Sequence, residues 1–390
     1  MPTTEKQPIL VVLQLTGGND ALNTIIPYGD GTYYDNRRTV RIAQSDVLPI
    51  DNQFGFHPAM RAIKPFWDDG KMAVISGIGY PNANYSHFRS MDIWYTCEPD
   101  KVATDGWLGK TVREIDPKAE NVLTAVNFGR GLPRALSLSG VPVASVAQLD
   151  SYGLLTSLSS VAQRQSALEV FSCLYDDGWN DQGVAPTDGL APARAGDEVL
   201  RYMGQTGLDA QKGADILRTA LGKYESSVPY PKSPVAESLK GIAQVKLAEL
   251  GTRVFYTSHG SFNTHATQLP AHAKLWQEVS EGIAAFFEDL RAHEAADDVL
   301  MLVWSEFGRR VRDNGAGTDH GAGSVALILG EGVKGGMYGE YPSLKQSDLT
   351  LGNLKYNVDF RSAYASILDR WMQIESAPIV NGAFEEFAIV

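Results

Sequence analysis

The stretch from residue 299 to residue 336 constrains the fold more than any other part of this chain. It opens with an unbroken apolar run, Val299, Leu300, Met301, Leu302, Val303 and Trp304. It continues through Ser305-Glu306-Phe307-Gly308-Arg309-Arg310 and a loop ending in Thr318-Asp319-His320-Gly321, then enters a second apolar run at residues 325–329. Runs of this kind, rich in branched side chains and bounded by polar turn residues, fit strands covered on both faces, as in a parallel α/β sheet. Glu306 follows the first run directly, and ligands of open α/β sheets gather beyond the carboxyl ends of the strands. A carboxylate there, with an Asp-His pair on the next loop, makes a metal-site or acid–base pattern. Pairing of Glu306 with Arg309 or Arg310, with His320 as an ordinary loop histidine, fits the same residues.

The arrangement recurs elsewhere. Residues 9–15 read as a buried strand running into Thr16-Gly17-Gly18-Asn19-Asp20-Ala21-Leu22-Asn23. The glycines permit a tight turn, and Asp20 can face a ligand or cap a short helix. Residues 72–78 read as another strand, and after a loop that cannot continue it residues 85–94 form a helix with Ser86 near its N-terminus. A hydroxyl there is surrounded by free backbone N–H groups, which suits a nucleophile or an anion ligand as well as plain capping. His87 and Arg89 beside it can donate to a phosphate or sulfate oxygen or lie on the surface. Residues 253–257 then lead into Ser258-His259-Gly260-Ser261-Phe262-Asn263-Thr264-His265. Asn263 and His265, two apart, can point to one side of an extended loop and converge on one ion. Polar clusters around Asp20, Ser86, His265 and Glu306 to His320 each follow a strand, which implies one site at one end of one parallel sheet.

Between the strands, apolar periodicity predicts helices over residues 58–70, 234–250 and 270–292 and a last one opening at Asp359, with His272 and His293 solvated at the ends of the third. Residues 157–250 are largely helical and polar with glycine- and proline-rich breaks, and read as a helical insertion or cap within a single α/β domain covering residues 1–390. A hydrophobic content of 44% with 21% charged residues is that of an ordinary globular protein. The net charge of −12, with no cluster of Lys and Arg, argues against a nucleic-acid partner, because phosphate binding needs concentrated positive charge. No run approaches the roughly 18 apolar residues of a membrane helix. The N-terminus lacks a basic region followed by an apolar core, so cytoplasmic residence is the default unless a leader was removed. Cys97 and Cys173 are too few for a disulfide framework and read as buried thiols.

Several stretches taken together carry a family resemblance: Gly17-Gly18-Asn19-Asp20-Ala21-Leu22-Asn23-Thr24, Phe56-His57-Pro58, Ser86-His87-Phe88-Arg89-Ser90-Met91-Asp92-Ile93-Trp94, Gly106-Trp107-Leu108-Gly109, Trp304-Ser305-Glu306-Phe307-Gly308-Arg309, Thr318-Asp319-His320-Gly321 and Asp359-Phe360-Arg361-Ser362. They resemble the bacterial domain-of-unknown-function family numbered 1501. That family is similar to the alkaline phosphatase and sulfatase superfamily, many of whose relatives are exported. The resemblance implies a central, mostly parallel sheet between helical layers and a metal-dependent hydrolase or transferase acting on a small phosphate or sulfate ester.

Carried over by position, Asp20 would be the metal-binding carboxylate after the first strand, and Ser86 would hold the place of the nucleophile. Glu306 and His320, with Asp319 beside it, would be later ligands, and Asn263 to His265 would match a Phe-Asp-Thr-His segment. In the mechanism this suggests, which goes beyond the positional carry-over, Arg89 and Arg309 would stabilise charge on the equatorial oxygens, and His87 could protonate the leaving group, though no spacing requires it. Phe307 stands where many relatives have a histidine ligand, and Asn263 where they have a carboxylate. One divalent ion, zinc, manganese or iron in preference to calcium, is therefore expected rather than two. The same losses fit an alternative, a catalytically degenerate anion- or metal-binding accessory protein. A metal-free serine esterase is a third reading, against which stands the absence of a Gly-x-Ser-x-Gly elbow.

Overall fold

A computed structural model of the chain describes residues 7–147 and 228–390, together with residues 149, 163, 166, 209, 212–214, 216, 217, 224 and 226. Most of the expected insertion over residues 157–250, and Cys173 with it, lies outside the described residues. The apolar runs do form strands, and those strands make one sheet. In chain order they are β1 (Ile9–Leu15), β5 (Met72–Gly79), β6 (Ala125–Phe128), β7 (Ala144–Val146), β8 (Val254–His259), β9 (Val299–Trp304), β10 (Ser324–Leu329), β11 (Gly336–Tyr338) and β12 (Val358–Asp359). The strands β2 (Ile25–Ile26), β3 (Leu48–Pro49) and β4 (Gly55–Phe56) form a small separate sheet.

The order across the main sheet is β11-β5-β10-β9-β1-β8-β6-β7, with β12 paired to β5. β1 lies parallel between β8 and β9, with Leu15 opposite His259 and Gln14 opposite Trp304. Among the described residues only β10 runs against its neighbours in this sheet, β5 and β9. The sheet is thus mostly parallel, as expected. The carboxyl ends of β1, β5, β8 and β9 share one rim, and β10 begins at that same rim.

The helices are α1 (Gly31–Asn36), α2 (Lys64–Asp68), α3 (His87–Thr96), α4 (Trp107–Ile115), α5 (Pro234–Leu247), α6 (Gln268–Ala292), α7 (Phe360–Ser366) and α8 (Ala377–Val380). Alternate residues of β1 point to opposite layers, as the strand period requires. Ile9, Val11, Leu13 and Leu15 pack with Leu239 and Ile242 of α5 and Ile283 and Phe286 of α6. Leu10 and Val12 pack with Ile93 and Trp94 of α3, Leu108 of α4 and Ala363 of α7. The layered architecture is the one the resemblance implied.

Two helical expectations change. The helix expected over 58–70 is a 3₁₀ turn, Pro58–Met60, followed by the short α2. Pro65 explains the break: it has no N–H to donate and its ring crowds the carbonyl four residues back. His272 is not solvated; it is 1% exposed on the inner face of α6.

One packing contact decides where α3 points. Trp94 stacks on Trp304 at 4.6 Å with the rings 7° apart, and Phe360 stacks on the other side at 4.5 Å. Stacked pairs of this kind contribute about 0.5–1.5 kcal/mol beyond the area they bury. Because Trp304 ends β9, this clamp carries the N-terminus of α3 over the rim, next to the residue that follows Trp304.

Candidate functional site

That residue is Glu306's neighbour Ser305, and Glu306 itself is buried beneath the rim. Its Oε1 accepts from the Gly17 N–H at 2.9 Å and lies 2.7 Å from His87 Nδ1, while its Oε2 accepts from the Ser305 hydroxyl at 3.0 Å. A carboxylate only accepts, so His87 Nδ1 carries the proton of that bond. His87 Nε2 is buried and makes no hydrogen bond among the described residues. Gly17 adopts φ +120°, and a Cβ there would lie 2.4 Å from the Asn263 nitrogen, so only glycine lets the loops after β1 and β8 meet.

Ser86 is the N-cap of α3, extended at φ −86° and ψ 123°, exposed, with no capping bond from its side chain. Its own N–H is held by Asn84 Oδ1 at 2.8 Å. The hydroxyl therefore stands at a helix N-terminus with its oxygen free of the capping role that serine there usually fills.

Three imidazoles cluster with Phe307 at the rim, His87 among them. The His320 ring is 4.3 Å from the His87 ring and 4.8 Å from the His265 ring, and Phe307 lies 4.8 Å from His87 and 5.0 Å from His320. His320 Nδ1 donates to the Tyr85 carbonyl at 2.8 Å, and its Nε2 lies 3.0 Å from His265 Nε2 and 3.1 Å from Asn263 Oδ1. His265 Nδ1 faces Asp319 Oδ1 at 3.2 Å. With both Nδ1 protons committed to oxygens, an Nε2–Nε2 hydrogen bond needs one further proton, so the pair carries a positive charge while that bond is made. Burial works against it and lowers the His320 pKa, only partly offset by the Tyr85 carbonyl. Partial burial would raise Asp319, but hydrogen bonds from Asn314 and His265 hold it below the usual carboxylate range.

The other expected site residues sit elsewhere or are fully engaged. Asp20 is completely buried, gripped by Arg37 through two bonds of 2.5 and 2.9 Å and bonded by Gln268 Nε2. Burial pushes its pKa up and Arg37 pulls it further down, for a net lowering. It braces the rim from behind, since Gln268 also accepts from the Thr318 hydroxyl at 2.6 Å. Arg309 is 1% exposed and donates to the carbonyls of Gly17, Gly18, Phe262 and Thr318 and, at 2.7 Å, to Asn263 Oδ1. Burial lowers its pKa to about 10 despite the nearby carboxylates of Asp20, Glu306 and Asp319. Arg89 points to the far end of α3, where it donates to the carbonyls of Glu98, Pro99 and Lys101.

These engagements correct the expected divalent ion. Among the described residues no group of three or more His, Cys, Asp and Glu side chains is arranged to hold a metal. The physical reasons are specific. Asp20 is neutralised by Arg37, Asn263 already accepts from a guanidinium, Phe307 has no donor atom, and the Glu306 oxygens accept from Gly17, His87 and Ser305.

A buried polar layer beneath the rim escaped the sequence reading. His272 Nε2 bonds Asn19 Oδ1 at 3.1 Å, and its ring lies edge-on to His57 at 5.4 Å. His57 Nδ1 accepts from the Ala59 N–H at 3.1 Å. Desolvation lowers the His57 pKa to about 3 and the His272 pKa to about 4. A signal existed: His272 shares the stripe of Trp276, Val279 and Ile283, which marks the buried face of α6.

The sequence profile described as "Protein of unknown function (DUF1501)" matches residues 189–381. The match takes in 193 of the 390 residues, just under half of the chain. No curated protein matches the chain. Among solved structures it is similar to the PsFucS1 sulfatase from Pseudoalteromonas sp., at 12% identity and a TM-score of 0.41, over 98% of this chain and 71% of that one. It is also similar to the phosphonate monoester hydrolase SpPMH from Silicibacter pomeroyi, at 13% identity and a TM-score of 0.39, over 98% and 76%. For a mutant of the alkaline phosphatase PafA the figures are 9% and 0.33, over 79% and 64%. Likenesses this slight say nothing of what this chain acts on.

Proposed function

We propose that the rim binds a small anionic ester, a phosphate or a sulfate, and transfers or hydrolyses it through Ser86. The observation that carries the reading is the Glu306–His87 pair at 2.7 Å, next in sequence to an exposed serine at a helix N-terminus. In this reading Ser86 Oγ attacks the phosphorus or sulfur and its proton passes to His87 Nε2, while Glu306 stabilises the imidazolium that forms. The ester oxygen leaves with that proton as an alcohol. Water then attacks the seryl ester, His87 again taking a proton, and restores Ser86. Free N–H groups at the start of α3 attract the anionic group. Arg309 acts only by holding the loops.

The test is a screen of phosphate and sulfate monoesters with the full chain and its Ser86→Ala variant. Turnover lost in the variant, with an unchanged melting curve, supports the role; equal turnover by both sinks it. A second reading, an anion-binding accessory protein without turnover, is favoured by Phe307 and by Asn263, which is tied to Arg309. It predicts calorimetric binding of phosphate or sulfate and no cleavage in that screen.

A further inference from the structure

Large apolar side chains in solvent are individually ordinary, but several around one functional rim are informative. Phe88, on the first turn of α3 two residues beyond Ser86, is 83% exposed. Tyr85, the residue before Ser86, is 39% exposed, and its ring is fixed at the rim by Asn353, whose buried side chain donates to the Tyr85 hydroxyl at 3.1 Å. That bond joins the turn at residues 350–353 to the Tyr85 ring, and the turn is closed by paired bonds of 3.0 Å between Thr350 and Asn353. At its tip Leu351 is 78% exposed and holds φ +53°. Such a tip position favours asparagine or glycine, and a leucine in the left-handed region is strained. A strained, exposed leucine at a turn that folding alone would fill otherwise points to a contact made outside the chain.

Resting on the proposed reading of the rim, we infer that Phe88, Tyr85 and Leu351 form a subsite for the apolar group of the ester, so that the substrate is an amphiphile: an anionic head at Ser86 and an apolar alcohol lying between α3 and the 350–353 turn. The occupant is a single dissolved molecule. Its placement follows from continuity, because Tyr85 belongs to both halves: its carbonyl accepts from His320 and its hydroxyl from Asn353.

Titration calorimetry with two phosphonates, whose P–C bond cannot be hydrolysed, separates the claims. Hexylphosphonate is expected to bind the full chain at least about tenfold more tightly than methylphosphonate, since each buried methylene contributes to transfer from water. Phe88→Ala combined with Leu351→Gly is expected to cut that preference to about threefold or less while leaving methylphosphonate affinity unchanged. The glycine accepts the backbone angle of the turn, so the variant keeps its fold. Equal binding of both compounds by the wild type, or a preference that survives in the variant, overturns the subsite and leaves the anion site standing. Binding of neither compound overturns the reading of the rim and this inference with it.

Discussion

Arg309 Nη2 donates to Asn263 Oδ1 at 2.7 Å, so the oxygen that the sequence resemblance leads us to expect beside a metal ion is taken up by a guanidinium. The same guanidinium reaches carbonyls in the loops after β1 and β8 and in the loop before β10, so it ties together the segments that a bound ion would otherwise join. A second cation on Asn263 would face that charge at close range. An ion present at a hundredfold excess over its Kd would add about 2.7 kcal/mol of stability, and its removal would lower the Tm by several degrees. Dialysis against a chelator is therefore expected to leave the Tm in scanning calorimetry where it was. A drop reversed by zinc or manganese would show that the rim rearranges around an ion.

Asp20 yields a stability effect rather than a metal effect. Asp20→Asn leaves the buried Arg37 without its counter-charge, a change that costs about 3–5 kcal/mol when one partner of a buried pair is removed. Urea unfolding at neutral pH measures it. The wild-type carboxyl is held below its ordinary value, so its contribution is present at neutral pH and is lost as the pH falls through the folded-state pKa. The variant is expected to lack that part of the acid transition.

The strands were legible because burial on both faces leaves a continuous apolar run, and the rim followed because polar residues come directly after each run. Ser86 was legible for a similar local reason: a loop that cannot be a strand runs into an amphipathic stretch. What stayed hidden is pairing over distance. Asp20 looks the same in sequence whether its partner is an ion or Arg37, and its bond to Gln268 spans 248 positions. Asn263 and Arg309 are 46 apart and His87 and Glu306 are 219 apart. Residue types nominate a metal site, but only tertiary placement shows whether their lone pairs are already occupied.

His57 and His272 set a pH dependence whose sign can be worked out. Each is neutral in the fold, with its pKa lowered to about 3 and about 4, against about 6.5 when unfolded. Above about pH 6.5 neither state binds these protons and nothing changes. Below it the unfolded chain takes up protons that the fold refuses, so stability falls with decreasing pH toward the folded-state values, by up to about 1.4 kcal/mol per unit for each histidine. Urea midpoints between pH 7 and pH 5 read this slope. His57→Asn is expected to flatten it by about one histidine's share, after an initial loss of stability at pH 7.

Glu306→Gln tests whether the carboxylate acts on His87 or only holds the rim. The amide has nearly the same shape and can still accept from the Gly17 N–H, so the sheet and its loops are expected to persist. What it removes is the negative charge 2.7 Å from His87 Nδ1, which favours the imidazolium during proton transfer. General acid–base catalysis typically contributes about 10²–10⁴-fold, and a fall within that range is expected in kcat with a smaller change in KM. A glutamate that served only as a brace would lower the Tm and leave the kcat of the folded variant unchanged, so kcat read beside the melting curve separates the two roles.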